Sequence, residues 1–325
     1  MEDSRHRPKW LFVRVAFYLL VVVVVIVLRG PVLNKTGGTG FRFSSESDTV
    51  KTITLSGIEL APELVPRIIS DYTWGSPGLH VNTMEGGTAR ALEAMANRRA
   101  AVGLMYRPPN REERAIMLSA VKDSVLCFPI ALGGIEILAH DGAGVDSLEA
   151  NDLRRALRGD AVPGFDHVYA PDPNTGLWDA LRKCLGFSQT SPVPPGVTFL
   201  KDEKQVVDAV IADPRGIGIT STLSLPDTVV TEGVHAVAVR PDKGGPAAMP
   251  EYVRIGYGDY PLYHYLYAAC LANGSVRGAM FVTHLTSDRG QRQIERAGFL
   301  PARQTARAIV ITRHPLGENG SKEDQ

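Results

Sequence analysis

Three short turns carry the residue types and spacing best suited to chemistry: Ser56-Gly57, Gly86-Gly87-Thr88 and Asn174-Thr175-Gly176. Each stands between an apolar run and a stretch with helical apolar spacing, so each is expected to open a helix. The first amides of a helix have no intrahelical partner, and together with neighbouring hydroxyls they favour a bound anion. Arg107, at the end of the apolar run Ala100 to Met105, would add a guanidinium near a sheet edge. The plainer account of the same residues is structural. Thr88 and Thr175 would be helix caps, Arg107 a surface ion pair, and Glu59 a first-turn acid favoured by the helix dipole.

Covalent or acid–base chemistry has less to recommend it. The eight histidines are scattered, and His264 lies between tyrosines in an apolar run, as a satisfied core residue would. GxSxG, HExxH and P-loop patterns are absent from the sequence, so no enzymatic activity is expected. Cys127, Cys184 and Cys270 stand far apart beside apolar neighbours, which suits core thiols, and no spacing among Cys and His suggests a metal. No cofactor is implied. A single disulfide stays open if this part of the chain lies outside the cytoplasm.

The elements that must position the turns follow from hydrophobic periodicity. Val50 to Leu55 alternates as a strand, and Leu60 to Tyr72 has a helical apolar pattern. Leu92, Met95 and Ala96 place a helix after Thr88, and Ala100 to Met105 reads as a buried strand. Cys127 to Ala139 is apolar enough for a central strand, with Gly133-Gly134 letting it bend. Asp146-Ser147-Leu148-Glu149 is expected to open a helix through Leu153 and Leu157 with a serine cap. Val168 to Ala170 is a strand, and Leu177 to Leu185 a helix with Asp179 in its first turn. Val206 to Ile211 is helical, Gly216 to Ile219 and Val234 to Val239 are strands, and Tyr260 to Leu271 is a long run able to cross back to the first domain. Val276 to Leu285 and Gly290 to Arg296 are helical, with Gly298 as a stop. Strand, polar turn and helix thus recur three times.

The chain has 325 residues, with 35 basic and 35 acidic side chains. That balance leaves no net field for nucleic acid, which is set aside. Arg5, Arg7, Lys9 and Arg14 cluster before or within Leu11 to Leu28, which is otherwise apolar. As a helix that stretch would extend roughly 27 Å, close to the roughly 30 Å of a bilayer core. No small-x-small cleavage site follows it. A retained transmembrane signal-anchor is therefore expected, with the basic tip inside and the rest extracytoplasmic, periplasmic or extracellular. The expected division is a tip and anchor at 1–33, a flexible linker at 34–48, a first lobe at 49–139 and 251–313, a second lobe at 140–250, and a mobile tail at 314–325.

Taken in order, these residues resemble the phosphate-binding proteins of ABC transporters, within the type II periplasmic-binding-protein fold. The similarity runs from about Thr49 to Val310. Leu55-Ser56-Gly57 with Leu60-Ala61-Pro62 looks like the family's opening motif, Glu85-Gly86-Gly87-Thr88 like its second anion loop, and Asp172-Pro173-Asn174-Thr175-Gly176 like its third. Gly216-Ile217-Gly218, Tyr260-Pro261-Leu262 and the run from Ser287 to Pro301 look like later signatures. The resemblance implies an α/β protein of two lobes, the second inserted into the first. A phosphate-type oxyanion would bind in the cleft at Ser56, Gly57, Gly87, Thr88, Arg107, Asn174, Thr175 and Gly176, and the loaded form would feed a permease.

The sequence also departs from that pattern. Ile58 and Glu59 stand at hydroxyl-bearing positions of the first loop, Pro171 where the family places an anion-binding arginine, Leu177 at a threonine position, and Ala101 at an acidic one. A carboxylate at Glu59 competes for the same amides as an anion, and if turned inward it is expected to pair with Arg107. Two functions follow. The first is a membrane-anchored extracytoplasmic binding protein for phosphate or another small ligand, feeding an ABC permease. The second is a domain of the same fold that has lost phosphate and serves as an extracytoplasmic sensory or protein-interaction module.

Overall fold

The computed structural model describes residues 51–76, 78–188, 196–224, 232–242 and 244–303. The expected membrane segment Leu11 to Leu28, the linker and the tail lie outside the described residues. No helix among the described residues is long and apolar enough to cross a membrane.

Two sheets are joined through one strand. In the first, the order is β2 (Leu79–Met84), β1 (Lys51–Ser56), β3 (Val102–Met105), β11 (Tyr263–Leu271) and β4 (Val125–His140). In the second, β4 continues to β8 (Gly216–Ser221), β6 (His167–Pro171) and β7 (Val197–Leu200). β1 pairs in parallel with β2 and β3, and β6 in parallel with β7 and β8, whereas β11 and β4 run antiparallel to their neighbours. The first lobe is thus built from both ends of the described chain and the second from its middle.

β4 changes partner at the glycine pair. Gly134 is opposite Tyr263 of β11, and the next residue, Ile135, is opposite Ser221 of β8. A side chain at Gly133 would meet Leu223 Cγ at 2.5 Å, so the close approach of the Leu223 loop is what requires glycine there. Parallel strands buried on both faces read as continuous apolar runs, and all six residues of β8 are buried.

Helices cover the faces. The Asp288–Arg296 helix starts at Ser287, whose hydroxyl accepts from Gly290 N–H, and packs against the Leu64–Trp74 helix. Gly298, in the left-handed region at φ 89°, follows its end, as expected. The Arg111–Val121 helix carries a full capping box, with Asn110 and Glu113 serving each other's backbone N–H.

Several local expectations are corrected. Ser147 does not cap a helix. Ser147–Glu149 forms strand β5 against β10 (Ala238–Arg240), and the helix begins only at Ala150. Val234 to Val239 is two strands, because β9 (Val234–Ala236) pairs with β4 while β10 pairs with β5. β3 lies between β1 and β11, so Arg107 emerges at an internal strand end rather than a sheet edge. All three cysteines are free thiols, which removes the open disulfide.

Candidate functional site

In a parallel sheet all C-terminal strand ends point the same way, and ligands gather there. β1 and β2 deliver the loops Ser56–Leu60 and Glu85–Thr88 side by side, tied by Gly57 N–H donating to Met84 O at 2.9 Å. β6 of the other lobe delivers Asp172–Gly176 against them. A side chain at Gly87 would lie 2.9 Å from both Asn174 O and Thr175 Cα, and one at Gly176 would lie 2.6 Å from Thr88 Oγ1. With φ of 52° and 90°, both positions also hold backbone that only glycine adopts freely. The three turns therefore meet in one place, with the lobes closed upon them.

What occupies the meeting point is a carboxylate of the chain itself. Glu59 Oε1 accepts the Gly86 N–H at 2.6 Å and also the Gly87 N–H. These are the amides at the start of the Gly87–Ala96 helix, where the positive end of the dipole favours a negative group. The expected pairing of Glu59 with Arg107 is corrected, because the free amides of the neighbouring loop take its charge instead.

Most of the other expected site residues are likewise engaged. Thr88 does not cap its helix. Its hydroxyl accepts from Tyr106 N–H at 3.0 Å and donates to Thr175 O across the lobes at 2.7 Å. Thr175 Oγ1 donates to Asp172 O at 2.8 Å, and both nitrogens of Asn174 donate to Asp172 Oδ1 at 2.8 Å. Ser56 is buried, and its hydroxyl has no partner among the described residues. Arg107 donates from Nε to Asp179 at 2.6 Å and forks both Nη groups onto Glu113 at 2.6 and 2.8 Å. Burial alone would raise the Glu113 carboxyl, but Arg107 and the Asn110 N–H outweigh it and hold it below its ordinary value. Arg107 is thus a doubly neutralised tie between the lobes.

A second network was not visible in the sequence. The Tyr106 hydroxyl donates to Leu60 O and lies 2.5 Å from Ser224 Oγ, which is 2.9 Å from Glu203 Oε1. Glu203 Oε2 accepts Ser221 N–H at 2.8 Å, and Ser221 Oγ is 2.7 Å from His264 Nε2. Burial pushes the Glu203 carboxyl up to about 8, with Glu136 and Asp202 adding to the rise, and burial pushes His264 down to about 3. Nothing in the spacing of Tyr106, Ser224 and Glu203 marks them, since only lobe closure brings them together.

Because Glu203 binds its proton far more tightly in the fold than in the open chain, its contribution is fully present below about 4.5 and is lost as pH rises through about 8. Stability is expected to fall across that window by at most about 1.4 kcal/mol per pH unit. Urea denaturation at a series of pH values checks this. Glu203→Gln should flatten the slope, and an unchanged slope would contradict the assignment.

Beside the cradle lies a cavity of about 320 Å³, walled by Glu59, Gly87, Arg90, Asn174, Lys201 and Lys204. It is small, mixed in charge and open to solvent on the face where β1, β2 and β6 end.

No protein-family model and no curated protein matches this sequence. Solved structures do. A protein described as a phosphate ABC transporter substrate-binding protein, from Clostridium perfringens and solved with bound phosphate, superposes with a TM-score of 0.62 at 16% identity, covering 78% of this chain and 100% of that one. An ABC-type phosphate transport receptor from Vibrio cholerae gives 0.56 at 17% identity, covering 76% and 99%. The fold is periplasmic-binding-protein-like. That agrees with the expected two-lobed α/β architecture.

Proposed function

We infer that this chain is a binding-protein-type module that has exchanged phosphate carriage for a permanently filled cradle. It works outside the membrane as a sensory or protein-interaction domain. The observation that carries this reading is Glu59 Oε1 on the Gly86 and Gly87 amides. A fixed carboxylate competes with free phosphate at a high effective concentration, and each charge-assisted bond it makes contributes about 1.5–3 kcal/mol. A dianion entering beside it would also meet its charge, and Arg107 is already spent on Glu113 and Asp179. The basic tip and the apolar stretch Leu11 to Leu28 support tethering to a membrane, with a membrane sensor partner as the recipient of the signal.

A second reading, carriage of a different small ligand to an ABC permease, is supported by the adjoining cavity, where Arg90, Lys201 and Lys204 stand among Glu59, Glu85, Asp172, Asp202 and Glu203. Calorimetric titration of the full-length chain with phosphate, sulfate and molybdate tests the proposal. No heat is expected with any of the three. Saturable heat at micromolar phosphate would reject the self-filled cradle, and saturable heat with sulfate or molybdate alone would favour the second reading.

A further inference from the structure

On the other side of the Tyr106–Arg107 segment lies a larger cleft, of about 580 Å³, that the cradle does not use. Its floor is β11. Strand alternation turns Tyr263, Tyr265 and Tyr267 to one face, while His264, Leu266 and Ala268 are buried on the other. One wall is Pro108, Pro109 and Arg114 from the first lobe, and the other is Asp179, Lys183 and Cys184 from the second.

The three rings form a ladder with centroids 6.2 Å and 5.9 Å apart, at interplanar angles of 87° and 61°. Rings set edge to face leave notches between them rather than one flat platform. None of the three hydroxyls bonds a protein group among the described residues, and Tyr263 is 43% exposed. Tyr267 also packs against the core around Ala91, Leu92 and Met95, whereas the cores take their packing from the alternate residues of β11 and not from Tyr263 or Tyr265.

We propose that this cleft binds an extended, proline-rich, acidic peptide segment of a partner protein, laid along Tyr263, Tyr265 and Tyr267. A polyproline II chain rises about 3.1 Å per residue with three residues per turn, so each turn of about 9.3 Å can lay a pair of prolines on the ridged tyrosine face and turn its third residue to the charged walls. Its backbone makes no internal hydrogen bonds, leaving carbonyls for the phenol hydroxyls, and proline rings fill notches between aromatic rings. The charge of the partner follows from the walls. Arg107 is consumed by Glu113 and Asp179, whereas Lys183 and Arg114 have no carboxylate partner among the described residues, Arg114 Nε being on Pro109 O at 2.8 Å. The cleft is left with two uncompensated cations, which select acidic residues beside the prolines. The choice of a peptide as occupant rests on the interaction-module reading, but the residues are separate from Glu59 and its cradle.

Fluorescence polarisation of the full-length chain tests this with a labelled peptide of Pro-Pro-Glu repeated four times. Binding is expected at a Kd of about 100 µM. Tyr265→Ala should weaken it about tenfold and Tyr265→Phe, which keeps the ring and drops the hydroxyl, about threefold. Lys183→Glu, on an outward cation, should reverse the preference over a Pro-Pro-Lys repeat. No polarisation change up to about 1 mM would overturn the proposal. So would binding that Tyr265→Phe and Lys183→Glu both leave untouched, or displacement of the peptide by a neutral glucose tetrasaccharide, which would mark a sugar site. Phosphate binding by the unaltered chain would end the reading of the cradle while leaving this result standing.

Discussion

Glu59→Ala is expected to cost about 2–3 kcal/mol of folding stability and to give the chain an affinity for phosphate that it otherwise lacks. The two effects have one origin. Removing the carboxylate strands the Gly86 and Gly87 N–H groups at the start of a helix, and those are charge-assisted contacts in a partly covered place. Water entering from the adjoining 320 Å³ cavity offsets part of the loss, which keeps the cost below that of two fully buried bonds. The vacated cradle then matches what a helix N-terminus offers any oxyanion. With Arg107 held by Glu113 and Asp179 the affinity should be weak, with a Kd of about 1 mM. Phosphate at about ten times that concentration would restore about 1.4 kcal/mol. Thermal unfolding with and without phosphate reads both quantities. Glu59→Gln, which keeps an acceptor oxygen but no charge, should lose about 1 kcal/mol and gain little phosphate response. A variant as stable as the parent, and as indifferent to phosphate, would show that the carboxylate is not what fills the site.

Arg107→Ala is expected to destabilise the chain by about 3 kcal/mol without any change in response to anions. One guanidinium satisfies carboxylates from two lobes, with Glu113 on the first and Asp179 on the second, and all three side chains are largely covered. Truncation leaves two facing acids without their cation, which is costlier than the loss of one exposed pair. The loss should fall on lobe closure, so amides of the Leu177–Cys184 helix should exchange faster with solvent. Arg107→Lys should recover only part, because an ammonium cannot fork onto Glu113 while holding Asp179. Urea denaturation supplies the energies. A variant of unchanged stability but altered anion binding would return Arg107 to the role the family resemblance implies.

These two residues mark where sequence reading succeeds and where it stops. Strand–turn–helix order was legible because Leu92, Met95 and Ala96, or the small apolar residues of β8, impose a period that one fold satisfies. The bend in β4 was legible from Gly133-Gly134, and the meeting of the three turns was what the family resemblance implied. The partner of Glu59 was not. From the sequence a carboxylate has two suitors, a guanidinium and a pair of amides, and only the closed lobes show that Glu113 and Asp179 reach Arg107 first. The Asn110–Glu113 box has a local signal, an Asn with Glu three residues on at the start of the Arg111–Val121 helix. Asp146 to Glu149 shows the opposite failure, a capping pattern that a neighbouring strand, β10, converts to sheet. Local propensity yields there to a tertiary pairing between residues far apart in the chain. Tyr106, Ser224 and Glu203 carry no local signal at all, since their interaction exists only when the lobes meet.

Glycine-selective nitrogen-15 labelling reports directly on the two amides in question. Gly86 and Gly87 should show strongly hydrogen-bonded amide protons that stay unmoved by phosphate in the unaltered chain, and that shift upfield and become phosphate-sensitive in Glu59→Ala. Saturable movement of both signals at micromolar phosphate, with Glu59 in place, would contradict the account.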